Sequence, residues 1–132
     1  PITAENIAKH RPANSSWSYD SFIMDFGNDD NFGSAWHSNP RIKEPWYEVE
    51  FERTRPFNMI SLVDNNESFS SYRIHYLKTE FGMDSRDTEE RENKSARFDE
   101  VWGNKVKVTF TKKNENERMY LNEIGVYNER RD

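Results

Sequence analysis

The sequence has 132 residues and a formal net charge of −5, from 24 acidic and 19 basic side chains. This length fits one domain with its own core, and we expect residues 1–132 to form a single domain. The chain has no basic stripe to neutralise phosphates, which argues against a nucleic-acid partner. No apolar run approaches the ~20 residues that a membrane-spanning helix needs.

The chain contains no cysteine, which excludes disulfides, thiolate catalysis and cysteine-based metal sites. Ile, Leu, Val and Phe make up only 25 of the 132 residues, a low share for a folded domain. However, the 4 Trp, 6 Tyr and 9 Phe each bring a large apolar area. We therefore expect an aromatic core under a very polar surface. The chain starts at Pro1, without Met or a signal peptide, so we expect a mature or excised piece of a longer protein.

Residues 5–16 show no helical period, and Pro12 favours an extended segment with turns. Residues 29–36 follow, with the sequence Asp-Asp-Asn-Phe-Gly-Ser-Ala-Trp. Asp, Asn and Gly tolerate tight turns, so this loop can aim several oxygens at one point. Such an oxygen cluster suits Ca²⁺. The alternative is a surface turn that packs Trp36 into the core, and from these residues alone we favour the turn.

From residue 46 onward the hydrophobic period is two, which is typical of half-buried strands. Tyr47, Val49 and Phe51 alternate with glutamates. Further strands are predicted over 57–63, 72–76, 106–110 and 119–127. No amphipathic helix is predicted, so we expect an all-β sandwich. Ten of the 19 residues in 79–97 are charged, which indicates a solvated loop insertion.

Enzyme motifs are absent from the sequence. It has no nucleophile elbow, no Walker loop and no His-Glu-x-x-His zinc helix. The 24 acidic residues show no pair with the arrangement that glycosidase chemistry requires. We therefore expect a chain that is not an enzyme.

Several short motifs follow one another in an order that resembles one family. They are Asn6-Ile7-Ala8 with Pro12-Ala13 and Ser15-Ser16, the acidic loop ending Ser34-Ala35-Trp36, the strand Trp46-Tyr47-Glu48-Val49-Glu50-Phe51, the strand Ser71-Tyr72-Arg73-Ile74-His75-Tyr76, the turn Phe98-Asp99-Glu100-Val101 with the strand Val106-Lys107-Val108, and the closing Glu123-Ile124-Gly125-Val126-Tyr127. The ordered set resembles the coagulation factor V/VIII type C (discoidin) domains, which include the family 32 carbohydrate-binding modules. The resemblance covers nearly the whole chain.

The resemblance implies an eight-stranded antiparallel jelly-roll β-sandwich, galactose-binding-domain-like, with both chain ends close together. It also implies a structural Ca²⁺ bound by the acidic loop and the last strand. The ligands it implies are the Phe26 carbonyl, the Asp29 carboxylate, the Asn31 carbonyl, the Ser34 hydroxyl and carbonyl, the Asn122 carbonyl and the Glu123 carboxylate. Hard oxygen donors of this kind suit Ca²⁺. The chain departs from the family pattern at Asp30, where the family usually has Gly, and at Ser34, where it has Thr.

Sugar binding in the family needs an aromatic face and a few polar groups in loops at one end of the sandwich. The matching loops contain Trp17, Tyr19, His37, Asp64, Asn65 and Asn66, with Phe69 as a further candidate. His37 directly follows the loop tryptophan, as in galactose-binding relatives. Trp17 is either a sugar platform or a core plug. Trp36 and Trp46 match core positions, whereas Trp102, predicted at a turn beside Gly103, could be either.

The expected function is that of a non-catalytic carbohydrate-binding accessory module that takes the terminal sugar of a glycan. Its expected partner is the catalytic domain of a parent glycoside hydrolase, in a bacterial protein that is secreted, periplasmic or at the cell surface. The alternative is a structural or protein-contact module with no sugar site. Membrane-lipid binding ranks last, because the loops are rich in Asp and Asn instead of exposed apolar side chains with nearby Lys or Arg.

Overall fold

The structure, a computed structural model, describes residues 5–16, 27–28, 35–64, 68–78, 84–87 and 94–129. Within these ranges the regular elements are all strands. The described residues contain no helix that is long and apolar enough to span a membrane. The strands are β1 (Ala13–Ser15), β2 (Trp36–His37), β3 (Trp46–Val63), β4 (Phe69–Lys78), β5 (Asp84–Asp87), β6 (Ser95–Lys112), β7 (Tyr120–Leu121) and β8 (Glu123–Tyr127).

The strands form one large and one small antiparallel sheet. The large sheet has the order β1-β3-β6-β4-β5, and β8 also pairs with β3. The small sheet pairs β2 with β7. The prediction of an all-β antiparallel fold is confirmed.

Strands β3 and β6 are each 18 residues long and pair along most of their length. Their register shifts between Glu50 and Arg55, and again between Phe57 and Met59. The first half of β3 also pairs with β1 and the second half with β8. Bulges bend and twist a strand without ending it. The prediction of one strand around Tyr47, Val49 and Phe51 and a separate strand over 57–63 is therefore wrong, because the register shifts change the hydrophobic period without ending the strand.

Two other local predictions are also wrong. Residues 98–102 do not form a turn, since Val101 pairs with Phe57 and Trp102 with Pro56 inside β6. The stretch 79–97 is not all loop, because Asp84–Asp87 pairs with β4 and β6 begins at Ser95. Charged residues can occupy a strand when the backbone pairs with a neighbour and one face meets water.

Aromatic and aliphatic side chains fill the core. Tyr47, Val49 and Phe51 point inward from β3, as the alternating pattern predicts. Trp36 is fully buried, and its ring centroid lies 5.4 Å from that of Tyr47. The prediction that Trp36 is structural is confirmed. Trp46 is only half-buried and lies outside the core cluster, because it occupies the opposite face of β3 from Tyr47.

The N-terminal segment is bound to the last strand through Asn6. Its side-chain oxygen accepts hydrogen bonds from the backbone N–H groups of Ala8 (3.0 Å) and Val126 (2.9 Å), and its amide nitrogen donates to the Ile124 carbonyl (3.2 Å). The Ile7 N–H also donates to the Val126 carbonyl (2.9 Å). The described residues nearest the two ends of the chain therefore lie side by side.

Candidate functional site

The small sheet places His37 opposite Tyr120. The two ring centroids are 5.9 Å apart, with the planes tilted by 49°. Both side chains are half-buried, so each keeps some surface open to solvent. We call the region around His37, Ser38, Ser68, Met119 and Tyr120 the β2–β7 end. The His37 imidazole and the Tyr120 phenol therefore lie side by side in the small sheet.

Ser38 fixes the residue that follows His37. The Ser38 N–H donates to the Met119 carbonyl (2.9 Å), and the Ser38 hydroxyl accepts from the Met119 N–H (3.0 Å). Both residues are fully buried. This reciprocal pair extends the β2–β7 ladder by one position, so the backbone that carries His37 is held on both sides.

The loop after β3 is brought to the same end by Ser68. The Ser68 hydroxyl accepts a hydrogen bond from the Tyr120 N–H (2.8 Å). The same hydroxyl donates to the Asp64 carboxylate (2.8 Å). The Asp64 carboxylate also accepts from the Ser68 N–H. Asp64 is only 1% exposed. Its carboxylate is therefore engaged by Ser68, and its burial leaves it little surface for a ligand.

A buried lysine holds two more loops at this end. The Lys112 ammonium donates to the carbonyls of Pro40 (2.9 Å), Glu115 (2.8 Å) and Glu117 (3.1 Å). The residue is 7% exposed. Burial lowers the pKa of the Lys112 amino group, and the Glu115 carboxylate acts in the opposite direction. Lys112 thus joins the segment after β2 to the turn after β6.

The other predicted sugar residues divide into two groups. Trp17, Tyr19, Asn65 and Asn66 lie outside the described residues. Phe69 is 7% exposed and packs on Tyr72 and Phe110, so it is a core residue and the suggestion that it contacts sugar is wrong. His37 and the end of the loop containing Asp64 do meet, since both contact Tyr120.

The predicted calcium ligands are split in the same way. Phe26, Asp29, Asn31 and Ser34 lie outside the described residues. Asn122 and Glu123 are 5% and 3% exposed. Among the described residues, no group of three or more His, Asp and Glu side chains is arranged to bind a metal ion.

The residues just before the acidic loop are tightly fixed. The Gly27 carbonyl accepts from the Ile124 N–H (2.7 Å), one residue after Glu123. The Asn28 amide donates to the carbonyls of Ala8 (2.9 Å) and Arg11 (2.7 Å), and its oxygen accepts from the Tyr47 hydroxyl (3.2 Å). Gly27 is therefore anchored beside the last strand, and Asn28 beside the N-terminal segment.

Sequence reasoning missed Tyr120, Ser68 and Lys112. One signal was available for Lys112. The alternation of β6 places it on the inward face with Val108 and Phe110, where a lysine needs buried acceptors. Tyr120 and Ser68 gave no local signal, because their importance depends on pairing with residues 83 and 52 positions away.

No profile of a known protein family matches the sequence, and no curated protein matches it. Solved structures do match. Chitosan-binding module 1 of a chitosanase/glucanase from Paenibacillus sp. IK-5 superposes with a TM-score of 0.81 at 18% identity, covering 93% of this chain and 98% of that one. The chain has the fold of the galactose-binding-like carbohydrate-binding modules.

Two further structures show the same fold. A fucose binding module of Streptococcus pneumoniae gives a TM-score of 0.72 at 18% identity, covering 96% of each chain. The family 32 carbohydrate-binding module of C. perfringens NanJ, in complex with galactose, gives 0.72 at 18% identity, covering 88% of this chain and 92% of that one. The similarity to the fold of the family 32 carbohydrate-binding modules, which the sequence predicts, is thus found in the structure.

Proposed function

We propose that this chain is a non-catalytic carbohydrate-binding module that takes a terminal sugar at the β2–β7 end. The observation that carries the proposal is the pairing of His37 with Tyr120 at a solvent-accessible edge. A sugar needs an aromatic surface for its C–H face and polar groups for its hydroxyls. The His37 Nδ1 is buried, so Nε2 would be the ring nitrogen that contacts a sugar hydroxyl.

The neighbouring structures support the same class of ligand. Chitosan-binding module 2 of the Paenibacillus enzyme was solved with chitotriose, and the NanJ module with galactose. The Streptococcus pneumoniae module is described as fucose-binding. In this chain, Trp17, Tyr19, Asn65 and Asn66 complete the proposed site, and Asp64 positions its loop.

We also propose a structural Ca²⁺ bound by the Phe26, Asn31 and Asn122 carbonyls, by Ser34, and by the Asp29 and Glu123 carboxylates. Its support is the burial of the Glu123 carboxylate together with the anchoring of Gly27 beside Ile124. Carboxylate and carbonyl oxygens are the ligands that Ca²⁺ prefers in proteins. The ion would join the acidic loop to the last strand.

The parent protein in this proposal is a bacterial extracellular glycoside hydrolase, with the chain as its accessory module. A fucosidase of Ruminococcus gnavus contains a region of this fold: the chain aligns over 96% of its own length with 27% of the enzyme, at a TM-score of 0.77 and 20% identity. A separate module tethered to a catalytic domain would raise the local concentration of substrate.

A glycan-array screen of the 132-residue chain with Ca²⁺ tests the sugar proposal, using His37→Ala as the test variant and His10→Asn as the control. His10 is an exposed histidine in the segment before β1, and Asn tolerates its positive φ of 58°. We expect hits on terminal neutral sugars that His37→Ala abolishes and His10→Asn retains. A blank array with folded protein, or equal loss in both variants, would refute the proposed site.

The second candidate function is a protein-contact module, and one observation favours it. Trp102 is 51% exposed on β6 and lies opposite Pro56. An exposed tryptophan of this kind is a common anchor in protein interfaces. Two results together would support this function instead. The glycan array would be blank, and the chain would bind a catalytic domain through a contact that Trp102→Ala abolishes.

A further inference from the structure

A groove of about 410 Å³ crosses the outer face of the large sheet, on the opposite side of β3 from the core. Its volume lies in the range typical of small-ligand sites. The side chains that shape it come from the segment before β3 and from β3, β6 and β4. They are Glu44, Trp46, Lys107, Thr109, Thr111, Arg73 and His75.

The strand register explains why these side chains share one surface. Thr109 is the partner of Trp46 on one side and of Arg73 on the other, so the three form a row across β3, β6 and β4. Lys107 pairs with His75 in the next row of the same face. Two strand spacings separate Trp46 from Arg73, a span of roughly 10 Å. The row is therefore long enough for more than one sugar ring.

The charge of the groove is opposite to that of the chain as a whole. The chain has a net charge of −5, yet Arg73 and Lys107 line the groove against the single carboxylate of Glu44. Glu48 is the strand partner of Lys107 and lies on the same face, where its carboxylate is 3.5 Å from the Lys105 ammonium. Arg73 is exposed, and no carboxylate in the described part of the chain forms an ion pair with it. Its guanidinium is available to a ligand.

An aromatic ring adjoins this cationic surface. Trp46 is half-buried and lines the groove, and the Lys107 ammonium lies 4.6 Å from the centroid of its ring. This cation–π contact holds the ammonium beside the indole. The Thr109 and Thr111 hydroxyls add neutral hydrogen-bonding groups. The site therefore combines an aromatic surface, hydroxyls and fixed positive charge.

We propose that this groove is a second binding site, for an acidic saccharide such as a uronic-acid-containing chain. Arg73 would bind the ligand carboxylate through two parallel hydrogen bonds, which a guanidinium is shaped to make. Trp46 would contact the sugar through its ring edge, with the Lys107 ammonium over its face, and Thr109 and Thr111 would bind the sugar hydroxyls. The proposal extends the proposed carbohydrate-binding function to a new ligand class, at a surface separate from the β2–β7 end.

The test is a calorimetric titration of the chain with trigalacturonate and with its methyl ester, at physiological ionic strength. The ester keeps the sugar rings but removes the charges. Arg73→Gln is the test variant, and Arg53→Gln is its matched control, since both arginines are exposed strand residues and both changes remove one charge. Equal thermal midpoints would show that the variants are folded.

We expect trigalacturonate to bind saturably. Arg73→Gln should weaken this binding about tenfold or more, because a charge-assisted hydrogen bond is lost. Arg53→Gln and His37→Ala should leave it unchanged, and the ester should bind at least tenfold more weakly. No saturable binding, equal weakening by both arginine variants, or equal binding of the ester would overturn the proposal. Amide shifts confined to Trp46, Arg73 and Thr109 would support it in the unaltered chain.

A neutral-sugar blank on the array would refute the β2–β7 site and leave this result untouched. Conversely, loss of trigalacturonate binding in His37→Ala but not in Arg73→Gln would move the acidic ligand to the β2–β7 end and refute a second site. The two proposals can therefore fail independently.

Discussion

At the residue scale, Lys112 places an ammonium group among backbone carbonyls where a loop end would otherwise lack donors. Its three hydrogen bonds reach Pro40, Glu115 and Glu117. Buried lysines are rare unless such acceptors are supplied. The residue therefore acts as a built-in cation that holds the loops of the β2–β7 end together.

We expect Lys112→Met to lower the free energy of unfolding by about 2 kcal/mol, because charge-assisted hydrogen bonds are lost and carbonyls are left without a donor. Lys113→Met is the matched control, since Lys113 is the exposed neighbour, and we expect it to stay within about 0.5 kcal/mol of the parent. Urea unfolding measures both. Equal stability of the two variants would show that the Lys112 hydrogen bonds contribute nothing net.

Gly27 is a second residue that the packing of the core requires, because the Tyr47 ring leaves no room for a side chain there. A Cβ at this position would lie 2.7 Å from the Tyr47 ring, which is fully buried and bonded to Asn28. We expect Gly27→Ala to cost about 1–3 kcal/mol through this clash. In thermal unfolding, Gly27→Ala should lower the midpoint more than Gly125→Ala does. At Gly125 the added Cβ approaches the ring of the half-buried Tyr127, which can move more easily. The reverse order would contradict the packing described for Tyr47.

At the scale of elements, the bulge in β3 is accompanied by a small charge cluster. Glu52 lies 2.8 Å from Arg55 and 3.5 Å from Arg11. The pKa of Glu52 lies below 4.5, mainly because its carboxylate accepts a hydrogen bond from its own backbone N–H. Desolvation raises the pKa, whereas Arg55 and Arg11 lower it further. The cluster joins the N-terminal segment to the bend in β3.

The lowered pKa of Glu52 predicts a pH dependence. Its stabilisation is complete above pH 4.5 and is lost as the pH falls through the lower pKa of the folded chain, because the unfolded chain binds the proton first. Glu52→Gln should therefore show a flatter fall in unfolding free energy below pH 4.5. The difference should be under about 1 kcal/mol, since the pair is partly exposed. Identical acid slopes would contradict it.

Asn6 connects the N-terminal segment to β8 through its side chain. We expect Asn6→Ala to lower the free energy of unfolding by about 1–3 kcal/mol, since it leaves backbone groups of Ile124 and Val126 without their partner. Asn14→Ala is the control, because Asn14 is exposed and its side chain, within the described ranges, accepts one hydrogen bond, from the adjacent Ser15. Comparable losses in chemical denaturation would argue against the role assigned to Asn6.

At the scale of the whole molecule, the sequence predicts the large sheet better than the sites. The alternation of Tyr47, Val49 and Phe51 reports directly which face is buried, because a strand has a period of two. The continuity of β3 and β6 was missed because a bulge breaks this period while preserving the pairing. Local pattern alone cannot distinguish a bulge from a chain break.

The sites depend on contacts between distant parts of the chain. His37 could be singled out by its position after Trp36, but its neighbour Tyr120 is chosen by the pairing of β2 with β7. The outer groove was missed for the same reason, since Trp46, Thr109 and Arg73 belong to three strands. The mutual register of the strands, which no single segment encodes, determines both surfaces.

The most direct test of sugar binding at the β2–β7 end is an amide-shift titration of the isotope-labelled chain with galactose, fucose and chitotriose. We predict that at least one sugar causes saturable shifts concentrated on His37, Ser68 and Tyr120, with the outer-face residues Arg73 and Thr109 unmoved. Shifts concentrated elsewhere, or no saturable shift with any of the three sugars, would contradict the account.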